Sequence, residues 1–400
     1  MAGMSTKPAL DSPARRPKNR KAHIALAAAE LFCEHGYHRV GIDDIARAVG
    51  ITGPAVYRHF PNKYAMLAAA TRDLAEAVLT ATEPSDPDLA PRNRLDEILD
   101  ALARLAIQRR RVGGLYQWEG RYLEPADRAQ LGADIRLLID RIAQPLGDLR
   151  PQLEPASARL LARGVLSVMG SLSTHRAAIA HGKAHALLVA AGWRLLLGDV
   201  GGLVPSVAEL TPQALEAGSG LRPRRETILA EALRLFHARG YHAVSMEDIA
   251  ASSGTRASSL YRYFPGKAEL LAAAYYRAAD RVAVATAEAL ATATDPAEAL
   301  ARLVDSYVDL VFGQSDLVSV YQAEQTNLPA MDRHELRKVQ RQHVEEWVRV
   351  LDRLHPQLTQ AECRILAHAA LNLVSDLGRY TRFDRAADRR VAGLALTVLK

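Results

Sequence analysis

Two stretches of this chain carry, in the same order, side chains that suit phosphates and base edges. They are Tyr57-Arg58-His59-Phe60-Pro61-Asn62-Lys63 and Tyr261-Arg262-Tyr263-Phe264-Pro265-Gly266-Lys267. Hydroxyl, guanidinium and imidazole groups are donors of the kind that meet phosphate oxygens and base edges. Each lysine falls where a proline-broken chain restarts as a helix, so dipole and ammonium together attract a phosphate. Other chemistry has less support. His181 and His185 have the i, i+4 spacing of a zinc site, and Cys33, His35 and His38 lie close in sequence, but neither set has a further ligand. Surface or capping histidines are expected instead. The chain has no Gly-x-Ser-x-Gly elbow, no phosphate-cradling Gly-rich loop with lysine and no Glu-x-x-His pair. No catalytic residue, metal or cofactor is expected.

The elements around these stretches repeat. Residues 20–63 and 224–267 align without a gap, with about 18 of roughly 44 positions identical, far above the chance level for such compositions. After a one-residue shift the later halves echo each other too: LYQWEGRYL at 115–123 against VYQAEQTNL at 320–328, and Pro151-Gln152-Leu153 against Pro356-Gln357-Leu358. Whole domains are therefore duplicated. Ile24, Ala28, Leu31 and Phe32, like Ile228, Ala232, Leu235 and Phe236, form the apolar stripe of an opening helix. Gly36 and Gly240 are placed to end it in a left-handed conformation. A short helix follows, with Asp43 and Asp44, or Glu247 and Asp248, at its positive end. Gly50 and Gly254 then turn the chain into a third short helix. Two short helices joined by a Gly-containing turn make a helix-turn-helix, whose second member fits the major groove of DNA.

Composition agrees. With 400 residues, 49% hydrophobic and 24% charged, the chain has the make-up of a folded protein of two or three domains. Its alanine and leucine content favours helix. The formal charge of +6 suits an anionic partner without establishing one. Cys33 and Cys363 are too far apart in sequence to suggest a disulfide framework, and a reducing compartment is expected. The polar N-terminus lacks a secretory core, and the most apolar stretch, near 186–197, is too short to span a membrane. The cytoplasm is the expected location.

The pattern F-x-x-x-G-Y-x-x-V, then D-I-A, then Gly, then Y-R-x-F-P-x-K occurs twice and resembles the N-terminal domain of TetR/AcrR family transcriptional regulators. The resemblance implies an all-α protein of two TetR-like repeats. Each has a three-helix DNA-binding head and a helical ligand-binding and dimerisation bundle, and the repeats pair as an intramolecular pseudo-dimer. DNA contacts are then expected from Thr52, Gly53, Pro54, Tyr57, Arg58, His59 and Lys63, and from Thr255, Arg256, Ser258, Tyr261, Arg262, Tyr263 and Lys267. The competing reading packs Tyr57 and Tyr261 between helices and leaves the lysines solvated. Phe60 and Phe264 are assigned to the core. The basic runs Arg15 to Lys21 and Arg222 to Arg225 are backbone or minor-groove arms, or solvated tails. The reading helices TGPAVYRH and TRASSLYRY differ, which implies an operator with unlike half-sites. Arg256 stands where the family has a small hydroxyl cap, and Gly41 where Ser245 caps the second helix, so one head is expected to bind weakly.

The organisation expected is a disordered basic arm over 1–17, a head over 18–63, a body over 64–197, a linker over 198–221, a second head over 222–267 and a second body over 268–400. The last two helices of each body, near 156–181 with 184–197 and 360–380 with 386–400, are expected to form the pairing surface. Tyr116, Trp118, Glu119 and Tyr122, with Tyr307, Tyr321, Glu324 and Trp347, either line a ligand pocket or belong to the core. The function implied is repression of transcription, relieved when a small apolar or amphipathic effector binds. The partners are double-stranded operator DNA and that effector, with no membrane, and the chain acts as a pseudo-dimeric monomer or a further homodimer. Two other readings stay open: a ligand- or protein-binding helical scaffold with one or both heads inactive, and a helical-bundle enzyme.

Overall fold

A computed structural model describes residues 20–86, 88–115, 119–199 and 223–400. The basic arm expected over 1–17 and the linker expected over 198–221, apart from Gly198 and Asp199, lie outside the described residues. Among those described, every regular element is helical, and no helix is long and apolar enough to cross a membrane.

In the first copy α1 is Arg20–His35, α2 Ile42–Ala48, α3 Gly53–Tyr57 and α4 Lys63–Ala81. The body continues through α5 Pro91–Gln108, α6 Pro125–Leu149, α7 Pro155–Gly170 and α8 His181–Leu197. In the second copy α9 is Arg224–Arg239, α10 Met246–Ser252, α11 Ala257–Leu260 and α12 Lys267–Ala291. Then come α13 Pro296–Gly313, α14 Ser315–Ala323, α15 Ala330–Leu354, α16 Gln360–Tyr380 and α17 Asp388–Leu399.

Sequence explains the heads locally. Ile24, Ala28 and Phe32 are fully buried on α1, as are Ile228 and Ala232 on α9, with Phe236 nearly so. Leu31 is only half-buried. Gly36 and Gly240 do take positive φ, +84° and +79°, but with ψ of 143° and 153°. That is the extended region open to glycine alone, not the left-handed helical turn expected, and it throws the chain away from the helix axis. Gly50 and Gly254, at φ +66° and +60°, make the turns before the reading helices. The two short second helices are capped unequally. Ser245 Oγ accepts the Asp248 N–H at 3.0 Å while Asp248 Oδ2 accepts the Ser245 N–H at 2.8 Å. At Gly41 only the second bond exists, from its N–H to Asp44 Oδ2 at 2.9 Å. A lost side-chain cap costs about 1 kcal/mol, so α2 is the less firmly held.

Each head shares an apolar core with the near end of its own body, including Val112 and Leu131 in the first copy and Leu317 and Leu336 in the second, whereas the rest of the two bodies share one. A single cluster runs from Leu95 to Leu196 and on through Ala289 to Leu399. Its seam is made by α7 and α8 of one copy packed on α16 and α17 of the other. The expected pairing helices are thus the ones in contact, although α7 stops at Gly170 and continues as a 3-10 turn over Ser171–Thr174 rather than running to 181. Inside the seam, Asn372 Nδ2 donates to the Ser167 carbonyl at 2.9 Å and to Ser167 Oγ at 3.0 Å. These two residues occupy aligned positions of the repeat. Contact between aligned positions is what an approximate two-fold relation produces. The rings of His175 and His368 stack across the same seam at 4.2 Å.

Two outcomes follow. Asn372→Ala removes both bonds and takes the Asn372 donor from buried Ser167 Oγ, while the Ser167 carbonyl keeps the Ser171 N–H, so urea unfolding should show a loss of about 1 kcal/mol; an unchanged midpoint would contradict this role. Burial, first, and then neighbouring positive groups push His175 down to about 2 and His368 to about 4, and burial pushes His343 to about 4. These groups stay neutral in the fold while the unfolded chain takes up protons near 6.5. Stability is therefore fully present above that pH and falls as pH drops from about 6.5 towards 4, by up to about 1.4 kcal/mol per unit for each group. Thermal unfolding at pH 7 and pH 5 measures it, and a Tm no lower at pH 5 would refute it.

Candidate nucleic-acid interface

The reading helices are short and anchored by one face. Val56 and Leu260 are fully buried, and Phe60 and Phe264 lie just beyond at 2% exposure, as assigned. What is left outward on the first head is Thr52, Pro54, Tyr57 and Arg58, with His59 half-buried. On the second head it is Arg256, Ser258, Tyr261, Arg262 and Tyr263, with Thr255 half-buried. Tyr57, Tyr261 and Tyr263 are 55%, 47% and 43% exposed. Rings that open to solvent are not packed between helices, so the competing core reading of Tyr57 and Tyr261 fails. Gly53 has a packing duty as well, because a Cβ there would stand 2.8 Å from Asp43 Oδ1. It lets α3 lie close against α2.

The two signature lysines are placed differently from the expectation. Lys63 Nζ donates to the Tyr37 and Val40 carbonyls at 2.8 and 3.0 Å, and more weakly to that of His38 at 3.5 Å. Its ammonium also stands 4.5 Å from the centre of the Tyr37 ring. Lys267 repeats this, reaching the Tyr241 and Val244 carbonyls at 2.7 Å each and the Tyr241 ring at 4.4 Å. An ammonium whose donors are turned onto carbonyls is not presented to a phosphate. The role seen is to fasten the first helical turn of α4 or α12 to the loop before the helix-turn-helix. The signal was in the sequence: Tyr37 and Lys63, like Tyr241 and Lys267, recur 26 residues apart. The basic arms are partly used in the same way. Lys21 lies over Phe60 at 5.4 Å and Arg225 over Phe264 at 4.8 Å, while Arg15, Arg16, Lys18 and Arg222 lie outside the described residues.

The heads meet each other, a contact that sequence reasoning missed. His38 and His242, again aligned positions, bring their rings to 4.2 Å. Burial and the facing His242, with Lys63 and Arg121 nearby, push His38 down to about 4. Arg39 Nη1 donates to the Thr326 carbonyl at 2.6 Å. Arg121 pairs with Glu324 at 2.9 Å, and that carboxylate, 2% exposed, also accepts from the Tyr241 N–H at 3.3 Å and from Asn327 Nδ2 at 2.7 Å.

This contact takes up residues expected to line a pocket. Glu324 is the hub of the cross-copy pairing, and Tyr122 stacks on Tyr37 at 5.4 Å beside it. Tyr321 stacks on Tyr275 at 4.6 Å. Tyr307 meets Trp347 edge-on at 6.1 Å within the second body, with its hydroxyl 3.3 Å from Ser375 Oγ. Of the described members of the set, Glu324 and Tyr122 are thus taken up beside the contact between the copies, while Tyr321, Tyr307 and Trp347 pack within the second copy. Tyr116 and Trp118 lie outside the described residues, and Glu119 is placed only as the start of a 3-10 turn. Around Tyr307, Trp347 is fully buried with no partner for Nε1, and His343 Nε2 has none either. His185, once a metal candidate, has Nε2 2.9 Å from Asp100 Oδ1. Among the described residues no three His, Cys, Asp or Glu groups are arranged to hold a metal ion.

Comparison with known proteins agrees with this geometry. The sequence profile of bacterial regulatory proteins of the tetR family matches residues 24–70 and again 228–274, one match in each head. An HTH-type transcriptional activator, FasR of Mycolicibacterium smegmatis, is 35% identical over 160 residues, covering 38% of this chain and 71% of the relative. The HTH-type transcriptional repressor KstR2 of Rhodococcus jostii is 28% identical over 144 residues, covering 36% of this chain and 71% of that protein. Among solved structures, the ketosteroid transcriptional regulator KstR2 of Mycobacterium tuberculosis is 21% identical, with a TM-score of 0.40, over 45% of this chain and 94% of that one. With its signature present twice and an all-helical build around each copy, the chain is a DNA-binding transcriptional regulator of the TetR family.

Proposed function

We propose that one chain does the work of a dimer, placing two unlike heads on the two half-sites of a single operator, and that a small apolar or amphipathic effector in the bodies releases it. In this reading 18–63 and 222–267 are the heads, and 64–197 and 268–400 the bodies. The observation that carries the proposal is the pairing of two outward-facing reading helices with a single apolar core shared by both bodies. Heads fixed to one core are held as a pair, as two-fold-related heads must be to reach half-sites about 34–36 Å apart. The outward faces differ at aligned positions: Thr52, Pro54 and His59 against Arg256, Ser258 and Tyr263. An arginine and a threonine hydroxyl do not select the same base, which supports unlike half-sites.

Release by an effector is supported by the second body, where His343 Nε2 and Trp347 Nε1 have no partner and both rings lie about 6 Å from the Tyr307 ring. Such groups invite a partner, since a buried unsatisfied polar atom costs about 1–3 kcal/mol. Repression relieved by ligand is the sign proposed, in line with the relative named a repressor rather than the one named an activator.

Selection of binding sites from random duplex tests the reading, and should return two half-sites of different sequence. A perfect palindrome would overturn it. Tyr57→Ala should weaken binding by about 1–3 kcal/mol and relax preference at one half-site only, Tyr261→Ala at the other. If the double variant footprints as the parent does, the contact assignment is wrong. Lys63→Met should lower Tm and leave the preferred sequence unchanged; a changed preference would return that lysine to the DNA surface.

A further inference from the structure

A cleft of about 540 Å³ opens between the first head and the second body. Its head wall carries Leu31, Arg39, Val40, Asp44 and Arg47, and its body wall carries Arg333, near the start of α15. Leu31 and Val40 give it an apolar strip. The rest is charged and unbalanced. Asp44 is spent on Arg47, at 3.0 Å. Neither Arg39 nor Arg333 has a carboxylate partner among the described residues. Arg39 commits Nη1 to the Thr326 carbonyl, Arg333 makes one long bond of 3.3 Å to the Leu328 carbonyl, and Arg333 Nε is buried with no partner. Burial, then Arg39 and Arg337, hold the Arg333 guanidinium below its usual range. Like charges gathered around a concave surface are stabilised by an anion, and guanidinium forks suit phosphate oxygens.

The second copy shows that the fold does not need this cluster. At the positions aligned with Arg39 and Arg47 it has Ala243 and Ala251. Arg128, aligned with Arg333, spends Nη2 on the Arg121 and Leu123 carbonyls at 2.7 Å each. The basic set is therefore particular to one side of the molecule, while the backbone that carries it is common to both.

We infer that this cleft binds a small phosphorylated metabolite, its phosphate between Arg39, Arg47 and Arg333 and its organic part along Leu31 and Val40. The volume is that of a small-molecule site, and its walls come from a head and the opposite body, which favours a free ligand's phosphate over the DNA backbone's. Because the two walls belong to different copies, the bound anion ties the first head to the second body. It shifts the position of that head to the extent that it prefers the closed cleft. On the equivalent face of the second head Ala243 and Ala251 replace two of the arginines, and Arg239 pairs with Asp248 at 3.8 Å, so the control is one-sided.

Calorimetric titration of the full chain with inorganic pyrophosphate, at ionic strength held constant with sodium chloride, tests this directly and does not depend on the operator. One saturable site per chain is expected. Arg39→Ala with Arg47→Ala, which gives the first head the residues of the second, should weaken binding by about tenfold or more, and Arg333→Gln from the opposite wall should do likewise. Circular dichroism and Tm check that both variants fold. Affinity of the double alanine variant for random duplex without pyrophosphate should stay within about twofold of the parent. No saturation, or variants that bind pyrophosphate as the parent does, overturns the site. A fall of about tenfold in duplex affinity, with no pyrophosphate bound by the parent, reassigns the arginines to the DNA backbone.

Discussion

The rest of the molecule depends on the burial of α7, α8, α16 and α17 against one another. Each head packs through its apolar core onto the near end of its own body, so it points where that body holds it. Because the bodies share one continuous core, movement of one head relative to the other requires repacking of side chains in a close-packed interior, which is costly in steps as small as a methylene. Inside that core the Asn372–Ser167 bonds have a further effect. An apolar seam tolerates sliding, whereas a buried amide that must find its carbonyl does not, so the pair fixes register as well as adding stability.

Covalent fusion changes what the two halves are free to become. In an assembly of identical subunits any substitution appears on both sides of the axis. Here the sides have drifted apart, and the structure shows where. Ser245 closes a capping box that Gly41 cannot. Arg121 and Glu324 form a pair between the two bodies, while the positions aligned with them are Thr326 and Glu119. The first head carries Arg39 and Arg47 where the second carries alanines. The aligned contacts that survive, His38 with His242 and Ser167 with Asn372, lie where the copies face themselves. One substitution there alters both partners' surroundings at once.

Much of the fold was legible because the repeat makes every local signal appear twice. The apolar stripes of α1 and α9, the glycines at 50 and 254, and the outward Tyr57 and Tyr261 all lie where spacing put them. What failed shares one cause. Lys63 and Lys267 were read from their place at a helix start, but the Tyr37 and Tyr241 rings and the loop carbonyls that capture them come from far upstream in sequence. Glu324 and Tyr122 were read as pocket polar groups from their aromatic neighbours, yet Glu324 pairs with Arg121 of the other copy and Tyr122 stacks on Tyr37 of its own head. Period and spacing report which face of a helix is buried; they do not report what buries it. Contacts between copies, and the cleft at Arg333, exist only once both bodies have been assembled.

The most direct measurement of the central claim is the mass of the complex on DNA. Native mass spectrometry of the protein on a duplex carrying the selected operator, across a tenfold range of protein concentration, counts chains per site. One chain per duplex, with both half-sites protected in a parallel footprint, is the result this account predicts. Two chains per duplex, or one chain protecting a single half-site, would mean that the copies of one polypeptide do not act on DNA as a pair.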